Sequence, residues 1–162
     1  AHTYSNLYGL KTIGLRFFTV YGPWGRPDMA YYTFTKSIIE NKNIDLFNKG
    51  NHTRSFTYIS DIVEPIFRLI KINENKQNIL NNNILNIGGA EPVKLLRFID
   101  IIENCLEKKA NVILKGMQQG DVQDTNADIT KLEKITNYKP QVDIEDGIKR
   151  FIDWYKTYHQ TS

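Results

Sequence analysis

A chain of 162 residues, 41% hydrophobic and 24% charged, is long enough to bury a core, and no apolar run in it approaches the ~18 residues a membrane helix needs. A net charge of +3, carried on scattered lysines without interleaved aromatics, offers no nucleic-acid face. The single cysteine, Cys105, excludes an internal disulfide and fits a reducing, cytoplasmic setting, while His2, His52 and His159 lie too far apart to form a metal-ligand pattern.

Residues 1–8 have the look of a helix end stopped at Gly9. Lys11–Thr19 is expected to be a strand, apolar enough to be covered on both faces. It gives way to a polar loop broken by Gly22, Pro23, Gly25 and Pro27. Tyr31–Asn41 has helical spacing, Ile44–Phe47 is a short strand, Asn48–Asn51 a turn, and Ser55–Ile59 another strand. Asp61–Ile72 is expected to be a helix capped by Asp61, with Ile62, Ile66, Leu69 and Ile70 inward and its start distorted by Pro65. Asn73–Asn83 is a polar loop, Ile84–Ile87 a buried strand, Val93–Leu106 an amphipathic helix, Asn111–Leu114 a strand, and Asp128–Ile135 a short helix. The last helix, Asp143–Tyr155, has Asp143 as N-cap and Asp146 three residues on. Cys105 falls on an apolar stripe, where a packed, inert thiol is expected.

Strands alternating with helices specify α/β architecture. No repeat and no domain boundary interrupt the chain, so residues 1–162 are treated as one unit. No Gly-x-Gly-x-x-Gly turn is present to cradle a dinucleotide. Ligands of open α/β sheets bind where strands end in loops. The end of Lys11–Thr19, with the Thr19 hydroxyl and the Arg26 guanidinium close by, is therefore the candidate site.

The run Leu15-Arg16-Phe17-Phe18-Thr19-Val20-Tyr21-Gly22-Pro23-Trp24-Gly25-Arg26-Pro27-Asp28-Met29-Ala30 resembles the nucleotide-sugar epimerase branch of the extended short-chain dehydrogenase/reductases. Threonine at 19, where most of that superfamily has asparagine, followed by Trp24 to Ala30, is closest to UDP-glucuronate 4-epimerases. The resemblance continues through Arg54-Ser55-Phe56-Thr57-Tyr58-Ile59-Ser60-Asp61-Ile62-Val63, Leu85-Asn86-Ile87-Gly88-Gly89, Gln119-Gly120-Asp121-Val122, Ala127-Asp128-Ile129-Thr130-Lys131-Leu132 and Tyr138-Lys139-Pro140. It spans essentially the whole chain. The fold it implies is the C-terminal part of a Rossmann-like extended short-chain dehydrogenase/reductase, the last parallel strands plus a small mixed α/β substrate lobe. The NAD-binding half, with a catalytic Tyr-x-x-x-Lys, should then precede Ala1. Tyr32-Thr33-Phe34-Thr35-Lys36 also spells that pattern but follows the Tyr-Gly-Pro turn, and is set aside.

By position, the resemblance implies that Thr19 and Arg26 hold the sugar carboxylate and that Asp45 and Phe47 belong to the strand that holds uracil. Arg54 neutralises the diphosphate, and Asp121 accepts a hydrogen bond from the ribose. Gln118 stands where many relatives carry a second phosphate arginine, and Phe17 and Val20 line the nicotinamide pocket. Four of these readings have a plain structural alternative: Thr19 as a strand-end threonine bonded to backbone, Arg26 as a surface arginine, Asp121 as a loop carboxylate, and Phe17 with Val20 as apolar core. The implied enzyme is an NAD-dependent isomerase that interconverts UDP-glucuronate and UDP-galacturonate through a 4-keto sugar, active as a homodimer in its full length. Residues 1–162 alone are expected to be inactive. The alternatives are another UDP- or dTDP-sugar epimerase, decarboxylase or dehydratase, or a non-catalytic sugar-nucleotide binding module.

Overall fold

The computed structural model describes residues 1–75, 83–89, 91–117, 122 and 124–161. It is a mixed α/β fold with the elements α1 (His2–Tyr8), β1 (Ile13–Phe17), β2 (Val20–Tyr21), α2 (Ala30–Ile39), β3 (Asn43–Leu46), β4 (Thr53–Ser55), β5 (Thr57–Tyr58), α3 (Ile59–Asn75), β6 (Asn83–Ile87), β7 (Pro92–Lys94), α4 (Leu95–Leu106), β8 (Asn111–Leu114), α5 (Thr130–Thr136) and α6 (Ile144–His159). The strands form four two-stranded ladders. β1 pairs with β6, β2 with β5 and β3 with β8, all parallel, and β4 pairs with β7 antiparallel.

Two apolar clusters result. The larger gathers Tyr21, Tyr31, Phe56, Phe98, Phe151 and Tyr155 between β2, α2, α4 and α6. Its rings pack edge to face, with Phe151 4.9 Å from Tyr31, and Phe56 stacks on Phe98 at 4.1 Å. The smaller packs Ile62 and Leu69 of α3 and Leu132 of α5 against Leu85 and Ile87 of β6.

Local signals are obeyed where they are self-contained. Gly9 takes the left-handed conformation (φ 65°) and its N–H donates to the Ser5 carbonyl, ending α1. Asp143 caps α6 by accepting from the Asp146 N–H at 2.7 Å. Cys105 is half-buried against the larger cluster, and burial raises its thiol pKa.

The remaining expectations change where tertiary contacts intervene. The strand expected over Lys11–Thr19 is shorter, and a second strand, β2, begins just beyond it at Val20. β1 ends at Phe17, and the chain steps from β6 to β5 through the Phe18 N–H to Ile87 and the Thr57 N–H to the Thr19 carbonyl. Nor is β1 covered on both faces within this chain: Ile13 and Leu15 join the smaller cluster, whereas Arg16 of the opposite face is exposed. Ser55–Ile59 likewise splits at Phe56 into β4 and β5, which pair with different partners. Val93 belongs to β7, not to the helix after it.

Asp61 is not an N-cap. Already inside α3 and buried, its carboxylate accepts from the Tyr138 hydroxyl and from the Val142 N–H at 3.0 Å, tying α3 to the segment before α6. α3 starts two residues earlier than expected and runs through Pro65. Ile70 points outward with Val63 and Phe67, because only the opposite side of α3 meets β6 and α5. The polar stretch after it begins later than expected, since α3 continues to Asn75.

Among the described residues, no helix is long and apolar enough to cross a membrane, and no group of three or more His, Cys, Asp or Glu is placed to hold a metal ion.

Burial raises the pKa of Tyr21, Tyr31, Tyr58 and Tyr155, and for Tyr21 the nearby Asp61 carboxylate adds to it. The sign follows by linkage. Above the ordinary tyrosine value of 10.0 the unfolded chain loses protons that the fold retains. Stability is thus fully present below about pH 10 and falls as pH rises further. Thermal melts between about pH 9 and 11 should show a falling midpoint, with a shallower slope in Tyr21→Phe; equal slopes would contradict this.

Candidate functional site

The site grows from the break between β1 and β2. The Thr57 N–H donates to the Thr19 carbonyl at 3.0 Å, which fixes the Thr19 backbone at the junction of two ladders. Two cavities meet there, with Thr19 and Met29 in the walls of both.

The first, of about 380 Å³, brings Asp45, Phe47 and Arg54 together with Thr19, and adds Asp28, His52 and Phe34. β3 supplies Asp45, the turn after it Phe47, and β4 Arg54. That turn is tight. Asn48 and Lys49 lie in the left-handed region, and a β-carbon on Gly50 (φ 78°) would come within 2.7 Å of the Leu46 and Leu96 side chains. Arg54 is half-buried and its Nη1 donates to the Thr53 carbonyl at 2.9 Å, which pins one edge of the guanidinium. Asp45 is paired with Lys115 of the strand end beside it.

The second cavity, of about 520 Å³, holds Phe17, Val20 and Arg26 with Thr19, and is closed by Tyr21, Trp24, Tyr31 and Ile59. Its loop lies directly on α2, where a β-carbon on Gly25 would stand 1.7 Å from the Tyr31 hydroxyl. Arg26 is exposed, its side chain 74% accessible, and pairs with Asp28 through Nε to Oδ1 at 3.0 Å and Nη2 to Oδ2. The pair raises the pKa of Arg26 and lowers that of Asp28, each through the hydrogen bond to the other.

The structure therefore brings seven of the residues singled out in the sequence to two adjoining cavities. Arg26 does not share a cavity with Arg54; Thr19 stands between them. Gln118 and Asp121 lie outside the described residues. Neither Tyr32 nor Lys36 of the Tyr-x-x-x-Lys pattern lines these cavities. Tyr32 is buried and shares a hydrogen bond with His159 Nε2 at 2.7 Å, and burial raises its pKa, whereas Lys36 is exposed. Sequence reasoning missed His52, which is buried in the first cavity, and the Lys115 partner of Asp45. A lone histidine in a turn carries no periodic signal, and the Lys115 pairing is created by the β3–β8 register.

Parallel strands alternating with helices, with Thr19, Arg26 and Arg54 gathered in cavities beside the strand ends, define this chain as part of a Rossmann-like α/β protein. It belongs to the NAD dependent epimerase/dehydratase family, which matches residues 1–88. It is 52% identical to an uncharacterized protein of Methanocaldococcus jannaschii over 96% of this chain and 46% of that protein. It is 43% identical to UDP-glucuronate 4-epimerase 5 of Arabidopsis thaliana over 100% of this chain and 40% of that protein. Among solved structures, UDP-glucuronic acid 4-epimerase from Bacillus cereus in complex with UDP-glucuronic acid and NAD aligns with a TM-score of 0.88 at 32% identity, over 97% of this chain and 49% of that one. The chain thus spans about half the length of the relatives it matches.

Proposed function

We propose that the two cavities are the UDP-sugar site of a UDP-glucuronate 4-epimerase, completed by an NAD-binding half that precedes residue 1. The observation that carries this is the order Arg54, Thr19, Arg26 along the joined cavities. It suits a ligand with a diphosphate at one end and a carboxylate at the other, and the likeness to UDP-glucuronate 4-epimerases supports it.

Arg54 offers a fork to the diphosphate, where charge-assisted bonds are strongest. Asp45 and Phe47 flank the nucleoside end. The Thr19 hydroxyl donates to the sugar carboxylate, and Arg26 faces the same group from the loop. Phe17 and Val20 form an apolar wall that fits a nicotinamide ring. The sequence has no glycine-rich turn for the phosphates of NAD, so those fall to the preceding half. NAD, when bound, supplies reversible hydride chemistry at C4 of the sugar. The residues of this chain hold the carboxylate while the oxidised sugar turns over, which keeps carbon dioxide from leaving. The 4-hydroxyl proton goes to a Tyr-x-x-x-Lys tyrosine outside this chain.

The test uses the complete protein with UDP-glucuronate and Thr19→Ala. One hydrogen bond to a charged acceptor is worth about 1.5–3 kcal/mol, roughly tenfold to a hundredfold. Epimerisation should fall by that factor while the decarboxylated share of product rises. Unchanged rates of both would overturn the role of Thr19, and no conversion of UDP-glucuronate by the unaltered protein would overturn the function.

A further inference from the structure

We propose that Trp24 is a positioning residue that pins the Arg26 loop to helix α6. This deepens the reading above, because it rests on Arg26 being the carboxylate ligand. Trp24 has an unexpected setting for so large a side chain. Its backbone is left-handed at φ 62°, a region a β-carbon disfavours, and the residue is 74% exposed. Core burial therefore does not explain the conformation.

The ring contacts do. Trp24 lies 5.4 Å from Trp154 and 5.0 Å edge-to-face from Tyr158, and those two stack on each other at 5.2 Å with an interplanar angle of 17°. Trp154 is half-buried against the larger cluster, 5.8 Å from the fully buried Phe151. A continuous aromatic chain thus runs from the core to the tip of the loop.

Arg26 needs such an external anchor. Its ion-pair partner is Asp28, two residues along the same loop, which orders the pair internally without fixing it to the rest of the fold. Three of the loop's other ties are the close approach of Gly25 to Tyr31, the Gly25 N–H to the Gly22 carbonyl at 3.3 Å and the Met29 N–H to the Arg26 carbonyl at 3.2 Å. All three lie within the loop or at the start of α2, while at its two ends Gly22 lies against Ile59 of α3 and Met29 packs on the larger cluster. Trp24 carries the loop's ring contacts to α6.

The experiment takes the complete protein with Trp24→Ala, Trp24→Phe and Trp154→Ala and reads two quantities. Short-pulse hydrogen exchange of residues 22–29 needs no ligand, and steady-state kinetics on UDP-glucuronate are set beside the Kd for UDP. Trp24→Ala and Trp154→Ala should each speed loop exchange about fivefold and raise KM for UDP-glucuronate about tenfold. They should leave kcat within about twofold and the Kd for UDP unchanged, and Trp24→Phe should restore most of the loss. Unchanged loop exchange overturns the pin. Faster exchange with unchanged KM overturns its role in placing Arg26. Faster exchange in a protein that does not act on UDP-glucuronate at all upholds the pin and instead defeats the functional reading.

Discussion

Arg54→Met is expected to weaken binding of UDP-glucuronate and of plain UDP alike, by roughly thirty- to hundredfold. The estimate comes from about 2–3 kcal/mol for bonds between a guanidinium and a dianion in a half-closed cavity. The two ligands should lose equally, because Arg54 lies in the cavity with Asp45 and Phe47 and not in the one with Arg26. Arg54→Lys should recover part of the affinity, since it keeps the charge and loses the fork. Methionine keeps the stem of the side chain, which limits damage to packing around β4. Isothermal titration with both ligands decides the matter. A variant that loses affinity for UDP-glucuronate but binds UDP normally would move Arg54 to the carboxylate end of the site.

The second large effect is on the fold. Gly147→Ala should lower the thermal midpoint by roughly 5–10 °C, corresponding to about 2–3 kcal/mol. In an exposed helix the same change gains about 1 kcal/mol. Here the new methyl would stand 2.0 Å from the Tyr21 hydroxyl oxygen and 2.7 Å from the ring carbon that bears it. Tyr21 cannot swing aside, being buried edge-to-face against Tyr31, Phe56 and Tyr58. Either α6 lifts or β2 shifts, and β2 follows Thr19 directly. KM for UDP-glucuronate should rise with the loss of stability. Adding Tyr21→Phe removes the nearest clash and should restore part of the midpoint. An unchanged midpoint in Gly147→Ala would mean that α6 sits further from β2 than this geometry places it.

The sequence was most informative where a residue and its partner are near neighbours. Gly9 and the Asp143–Asp146 cap could be read from spacing because their hydrogen bonds close within one turn. The helices from Tyr31 and from Asp143 were legible from the 3.6-residue period. Asp61 misled because its type and place match a cap, while its partners Tyr138 and Val142 lie far along the chain. Ile70 misled because α3 carries apolar residues on two sides, and periodicity alone does not say which is covered. The strand breaks at Phe18 and Phe56 were invisible for a similar reason, as each half-strand pairs with a different partner. At the site, Thr19, Arg26 and Arg54 were found through the motifs that contain them. That Asp28 engages Arg26, and that Thr19 is common to both cavities, required coordinates.

The pairing of the ladders has a kinetic consequence. None of the four joins strands that are neighbours in the chain, so no hairpin can serve as a folding nucleus among them. Each ladder must close a long loop before its first hydrogen bond offsets the lost entropy. Helices α4 and α6, whose apolar faces are local, form on a faster clock than any strand pair. Until β1 finds β6, their amides and the apolar side chains beside them stay open to other copies of the chain. Dilution therefore favours refolding over clumping for this topology.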